Sequence, residues 1–273
     1  MMISIDAGGS KCVGALIEKG VKIKTATSGF GNILVHKEKA LNNILELIEM
    51  LYEPKVDKIV IGMAGAKTRD TNEIKTLIES RFDLELIVIT DAELAYYDLL
   101  PQGGLLVIAG TGSVVLYKGP HGFIQAGGWG HLFGDEGSGY SLSVEAIKKV
   151  ILCDSLGIST ILKDIILDHY KLSDLEEVKF LYKEPKARIA ELASVLAAYD
   201  FHTIDDLFIE ESKKLGQTVL NMIKKYDLKV NKIGLTGGMI KHPLYLEALK
   251  ASIGHYDYVI NTEDHTLGGS YFE

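Results

Sequence analysis

The sequence predicts an α/β fold built twice, as two lobes. Short buried strands alternate with segments of helical spacing through the first hundred residues. A unit of strand, glycine turn and strand opens the chain at residues 3–17 and returns at residues 104–117. A third strand that ends in glycines follows at residues 232–239. A chain of 273 residues has room for two domains at about 100–200 residues each, and the expected division is 1–100 and 101–273.

In order, Ile3-Ser4-Ile5-Asp6-Ala7 runs into Gly8-Gly9, and Cys12-Val13-Gly14-Ala15-Leu16-Ile17 returns from it as a hairpin. A further strand is expected over 21–27. Leu41, Ile44, Leu45 and Ile48 recur at helical spacing within 37–51. A buried strand over 58–63, a helix over 70–82, a strand over 84–89 and a helix over 92–99 complete the first lobe. The second lobe opens on Leu105-Leu106-Val107-Ile108-Ala109 and the turn Gly110-Thr111-Gly112-Ser113. A helix is expected over 141–156 and a largely helical region over 159–226, before the last glycine-ended strand.

Apolar residues make up 47% and charged residues 24%, an ordinary globular composition. The formal charge of −8 argues against nucleic acid or an anionic membrane as partner. It leaves a nucleotide open, because backbone N–H groups and a metal ion can hold phosphates. No apolar run approaches the roughly 18–20 residues of a membrane span. Met1-Met2-Ile3 leads straight into a strand without a basic leader, so a cytoplasmic location is expected. Cys12 and Cys153 make no metal or redox spacing and fit a reducing compartment.

The three glycine turns are the main chemical signal. Glycine lets backbone N–H groups approach phosphate oxygens, and Ser10, Thr111 and Ser113 add hydroxyl donors at those turns. Neither a Walker A loop nor a G-x-G-x-x-G fingerprint occurs. Asp6, at the end of the first strand, either holds Mg²⁺ through water or bonds its own turn. Asp91 follows the strand Leu86-Ile87-Val88-Ile89-Thr90. It is suited to accept a proton from a substrate hydroxyl, or else to cap the next helix. The segment 127–139 is dense in glycine and holds the only tryptophan, Trp129. A stacking aromatic beside Asp135 and Glu136 suits a polyhydroxylated ligand. His131 is expected to fix that loop by hydrogen bonding.

Together these residues resemble the N-acetylglucosamine kinase branch of the actin/hexokinase/heat-shock ATPase superfamily, the branch grouped with the BadF/BadG ATPases. The likeness covers nearly the whole chain. Its most specific element is Gly127-Gly128-Trp129-Gly130 followed by Gly134-Asp135-Glu136-Gly137-Ser138-Gly139. Asp6-Ala7-Gly8-Gly9-Ser10 is similar to the phosphate 1 motif, Gly110-Thr111-Gly112-Ser113 to the phosphate 2 motif, and Thr236-Gly237-Gly238-Met239 to the adenosine motif. The resemblance implies a duplicated ribonuclease-H-like (actin-like ATPase) fold, with two lobes around a nucleotide cleft, ATP and Mg²⁺ as cofactors and a small sugar as substrate.

By the same match Asp91 is the catalytic base and Asp6 the metal-side carboxylate. Gly8, Gly9, Ser10, Lys11, Gly110, Thr111, Gly112, Gly237, Gly238 and Met239 bind ATP. Asn32, Asp91, Ser113, Gly128, Trp129, Gly130 and Asp135 bind the sugar. A homodimer is left open. Val114 departs from the family's asparagine after the phosphate 2 serine and removes a polar sugar contact. The segment 266–273 stops where relatives continue into a closing helix. The small residues of Gly62-Met63-Ala64-Gly65-Ala66 are expected to leave room for a 2-acetamido group. Two rivals share the fold. One is the activator ATPase of 2-hydroxyacyl-CoA dehydratases, which needs cysteine ligands for an iron–sulfur cluster. The other is a non-catalytic sugar-sensing module, which would not require Asp91.

Overall fold

The computed structural model describes residues 1–9, 11–33, 36–66, 72–82 and 84–273. The described chain forms two compact units: Met1–Gln102 with Glu263–Glu273, and Gly103–Thr262.

The first unit holds a five-stranded sheet of β1 (Met2–Ala7), β2 (Cys12–Glu18), β3 (Val21–Ser28), β4 (Lys58–Met63) and β5 (Glu85–Ile89), in the order β3-β2-β1-β4-β5. The first three strands pair antiparallel, and β4 and β5 run parallel to β1. Successive side chains of a strand face opposite ways. Ile3, Ile5 and Ala7 therefore share one core with α1 (Lys37–Leu51) and α2 (Asn72–Arg81). Met2 packs on the other face with Val60 and with Leu94 of α3 (Asp91–Leu99), and the alternation puts Asp6 on that same face. Gly62 is the β4 partner of Asp6. A Cβ there would stand 2.5 Å from the Cβ of Leu94, so only glycine lets α3 lie this close to the sheet.

The last eleven residues differ from the expected division. They belong to the first unit, where the 3₁₀ helix Thr266–Phe272 packs on α3 and β1. Gly268 sits against the Leu94 carbonyl and Gly269 against Ser4, contacts that a side chain would block.

The second unit repeats the topology. Its strands β6 (Leu105–Ala109), β7 (Ser113–Gly119), β8 (Gly122–Gly127), β9 (Lys232–Thr236) and β10 (Asp257–Ile260) run in the order β10-β9-β6-β7-β8. An antiparallel meander again precedes two parallel strands. Five α-helices, α4 (Gly139–Ser155), α5 (Ile161–Tyr170), α6 (Lys186–Leu196), α7 (His202–Lys225) and α8 (Pro243–Ile253), and the 3₁₀ helices Leu175–Lys183 and Gly238–Lys241 complete this unit. They build one core with Leu105, Val107, Ala109 and Leu235 of the sheet. The sequence pattern predicts neither β8, which has glycine at both ends, nor α8, nor β10, a four-residue edge strand. Nor does the chain wait until residue 141 to become helical, because Ser138 caps α4.

Gly62→Val is expected to overpack the α3–sheet contact and destabilise the fold by about 1–3 kcal/mol. Urea unfolding followed by circular dichroism measures this as a lowered midpoint.

Candidate active site

In the first unit the phosphate 1 turn is tied to the end of β3. The Gly8 N–H donates to the Lys11 carbonyl at 3.2 Å, and the Gly31 N–H donates to the Gly8 carbonyl at 2.9 Å. This second bond sets half-buried Asn32 next to the turn. Gly9 and Lys11 are exposed, while Ser10 lies outside the described residues.

Asp91 is not the helix cap. Thr90 takes that place: its hydroxyl accepts from the Glu93 N–H at 3.0 Å and the Glu93 carboxylate accepts from the Thr90 N–H at 2.9 Å, a complete capping box. Asp91 becomes the first helical residue, and its Oδ1 accepts from the next N–H, of Ala92, at 3.0 Å, while its own backbone N–H also bonds the carboxylate. Loss of hydration lifts its carboxyl from 3.8 to about 6, and the charge of Asp6 adds to the rise. Asp6 is also raised, first by burial, with Asp264 and Asp98 pushing the same way. His265 opposes this, first through the charge its ring carries when protonated and then through its backbone N–H, which donates to Asp6 Oδ2 at 3.1 Å. The His265 ring in turn meets Asp98 Oδ2 at 2.8 Å.

In the second unit the phosphate 2 turn and the adenosine turn open onto one cavity of about 580 Å³. Gly110, Thr111, Gly238 and Met239 line it, facing Ala193 of α6 and Phe208 of α7. Gly237 makes the arrangement possible. Its φ is +106°, and a Cβ would strike the Ala109 carbonyl, so the adenosine turn can lie against the end of β6 only with glycine here. Phe208 stacks on His242 with ring centroids 3.8 Å apart and planes 5° from parallel. Burial lowers the His242 pKa, which favours a neutral, flat wall. The volume falls within the range of small-molecule sites.

The segment 127–139 divides into an exposed tip and a bonded base. Trp129, Leu132 and Phe133 are 78%, 74% and 82% exposed. Asp135, by contrast, is 2% exposed, at φ +69°. Its Oδ1 accepts from the Ser113 N–H at 3.1 Å and its Oδ2 pairs with Lys186 at 2.5 Å. The Ser113 hydroxyl donates to the Glu136 carbonyl at 2.8 Å. Ser113 and Asp135, expected as sugar contacts, are thus engaged in bracing the loop against the phosphate 2 turn. The exposed residues Gly128 and Trp129 and half-buried Gly130 remain open to a ligand. Val114 packs beneath Gly128, and His131 meets Tyr140 edge-on at 5.0 Å rather than through a described hydrogen bond.

No protein-family model matches the chain. Its sequence is 32% identical over 266 residues to N-acetylmuramic acid/N-acetylglucosamine kinase of Clostridium acetobutylicum, covering 90% of this chain and 87% of that protein. The chain belongs to the N-acetylglucosamine kinase family. Over 211 residues it is 29% identical to N-acetyl-D-glucosamine kinase of Dictyostelium discoideum, across 69% of this chain and 65% of that one. A candidate N-acetylglucosamine kinase of Porphyromonas gingivalis has the same fold, with a TM-score of 0.79 at 19% identity over 99% and 98% of the two chains. The fold is the duplicated actin-like ATPase fold of sugar kinases.

Several groups of these sites have no sequence signal. His265 and Asp98 lie 167 residues apart, and Lys186 stands 51 residues from its partner Asp135. Gly62 and Met63, expected near a sugar substituent, are in the first unit's core; of that run, Gly65 and Ala66 keep some exposed surface. Cys12 is buried in β2, and burial pushes its thiol up to about 11, so it is poorly suited to ligate a cluster. Cys153 stands alone on α4. No helix among the described residues is long and apolar enough to cross a membrane.

The raised Asp91 pKa makes a stability prediction. Its folded value of about 6 exceeds the ordinary 3.8, so the fold favours the protonated acid. The ionised form therefore destabilises the protein above pH about 6, and the difference vanishes below pH about 4. Asp91→Asn should raise stability at pH 8 by on the order of 2–3 kcal/mol and leave it unchanged at pH 4. Thermal melts at the two pH values test this.

Proposed function

We propose that this chain transfers the γ-phosphoryl group of Mg-ATP to the 6-hydroxyl of N-acetylglucosamine or a related amino sugar. The observation that carries the reading is Asp91: relieved of capping, half-buried and lifted to about 6, it is ionised at neutral pH yet basic enough to take a proton. Its carboxylate accepts the hydroxyl proton as the sugar oxygen attacks the γ-phosphorus and ADP leaves. The turns at Gly8–Lys11 and Gly110–Gly112 hold phosphates. Gly237, Gly238, Met239 and the stacked Phe208–His242 wall take the adenosine, and Asn32, Gly128, Trp129 and Gly130 contact the sugar.

Asp6 suits a magnesium ion held largely by water and phosphate, because burial and nearby Asp98 and Asp264 leave its charge under-compensated. No cluster of three or more His, Cys, Asp or Glu among the described residues forms a ready-made metal cage, which fits such a cation. When bound, magnesium supplies neutralisation of charge on the transferring phosphates.

The clostridial relative's double name supports tolerance at the sugar, and Val114 supports it further, since it offers no hydrogen bond. Losing one such contact costs about 0.5–1.5 kcal/mol, enough to loosen selectivity without abolishing binding.

ADP release measured across N-acetylglucosamine, N-acetylmuramic acid, glucosamine, glucose and mannose tests the substrate. Turnover of N-acetylglucosamine with several of the others is expected, and no turnover of any amino sugar would overturn the reading. Asp91→Asn should slow kcat by roughly 10²–10⁴-fold while ATP-analogue and sugar binding persist. In the wild type kcat/KM should fall below pH about 6, near tenfold per unit, as Asp91 protonates.

A further inference from the structure

Gly137, at the base of the exposed loop, is held on both sides by one helix pair. Its N–H donates to Glu211 Oε2 of α7 at 2.9 Å, and its carbonyl accepts from the Tyr245 hydroxyl of α8 at 2.5 Å. Glu211 is 1% exposed, and its other oxygen pairs with Lys214 at 2.6 Å. A buried carboxylate is rarely the most stabilising filling for a helix interface. Here it stands where a loop N–H needs a strong acceptor.

The two clamping residues sit one turn beyond the stacked pair of the cavity. Phe208 precedes Glu211 by three positions on α7, and His242 precedes Tyr245 by three at the start of α8. Asp135, Glu136 and Ser138 are fixed as well, through Lys186, Ser113 and the Asp135 carbonyl. A bonded run therefore carries the tip on which Trp129 stands.

We propose that Glu211, assisted by Tyr245, is a positioning residue that sets the direction of the 127–137 loop and thereby sugar affinity, without touching either ligand. This rests on the reading of that loop as the sugar loop.

The test compares Glu211→Leu, Glu211→Gln, Tyr245→Phe and Trp129→Ala in the full chain. N-acetylglucosamine KM is measured at saturating Mg-ATP, and sugar Kd by Trp129 fluorescence where that residue is present. Kd for a non-hydrolysable ATP analogue is measured separately. Glu211→Leu should raise sugar KM and Kd about ten- to a hundredfold, the size of a lost charge-assisted hydrogen bond. Its nucleotide Kd should move by less than about twofold. Glu211→Gln keeps an acceptor oxygen and should restore sugar affinity to near the wild-type value. Should Glu211→Leu not fold, Tyr245→Phe carries the test, with an expected rise in sugar KM of several-fold and again an unchanged nucleotide Kd. Equal losses for both ligands, or unchanged sugar KM in the folded variant, would overturn the proposal. If Trp129→Ala raises sugar KM while Glu211→Leu does not, only the positioning role falls. If Trp129→Ala leaves sugar KM unchanged, the sugar-loop reading falls and takes the positioning role with it.

Discussion

Leu94 of α3 lies directly on Gly62 of β4, and the chemistry of the first unit depends on that contact. The strand alternation already turns Asp6 toward the face that α3 covers. With no side chain at Gly62, α3 comes down far enough for its first residue, Asp91, to share the same poorly hydrated ground. Each carboxylate then raises the free energy of ionising its neighbour, as like charges in low dielectric must. A helix held one side chain further from the sheet would leave Asp91 hydrated and weakly basic. The 3₁₀ helix Thr266–Phe272 follows the same logic, its glycines admitting it against Leu94 and Ser4 so that the preceding residue, His265, can brace Asp6.

The second unit uses the same strand order for a different purpose. Its turns at Gly110 and Gly238 open onto a largely apolar cavity walled by α6, α7 and the start of α8, and its one close carboxylate, Asp135, braces the turn from behind through the Ser113 N–H. The helical insertion between β8 and β9 supplies the α6 and α7 side of that wall, and the segment after β9 supplies the rest. Duplication thus provides two similar turn-bearing sheets, and the insertion adds to one of them a cavity with a stacked aromatic wall.

Rigidity is distributed unevenly along the glycine-rich loop. Residues 135–138 make bonds to Ser113, Lys186, Glu211 and Tyr245, whereas Trp129, Leu132 and Phe133 stand in solvent. Such a division suits a binding loop, since a fixed base limits the entropy lost when the tip closes on a ligand. It also explains how Asp135 tolerates a positive φ: its three partners, Ser113, Lys186 and the Ser138 N–H, over-determine the backbone.

Much of the fold is legible in the residues themselves. Strand-forming runs at β1, β2, β4, β6 and β9, the helical spacing of α1 and the return of one hairpin a hundred residues later determine a duplicated α/β chain with glycine turns at its strand ends. These are local properties, set by side-chain period and by backbone freedom at glycine. The spacing Thr90-Asp91-Ala92-Glu93 is that of a capping box, a local signal that favours Thr90 over Asp91 as the cap, and the structure forms both of its bonds. The bracing of Asp135, the pairing of His265 with Asp98, and the return of residues 263–273 to the first unit were decided only by tertiary structure. Each joins groups from 51 to 259 residues apart. Their meeting depends on how closely glycines let helices and strands approach, a property of packed surfaces that no local pattern encodes.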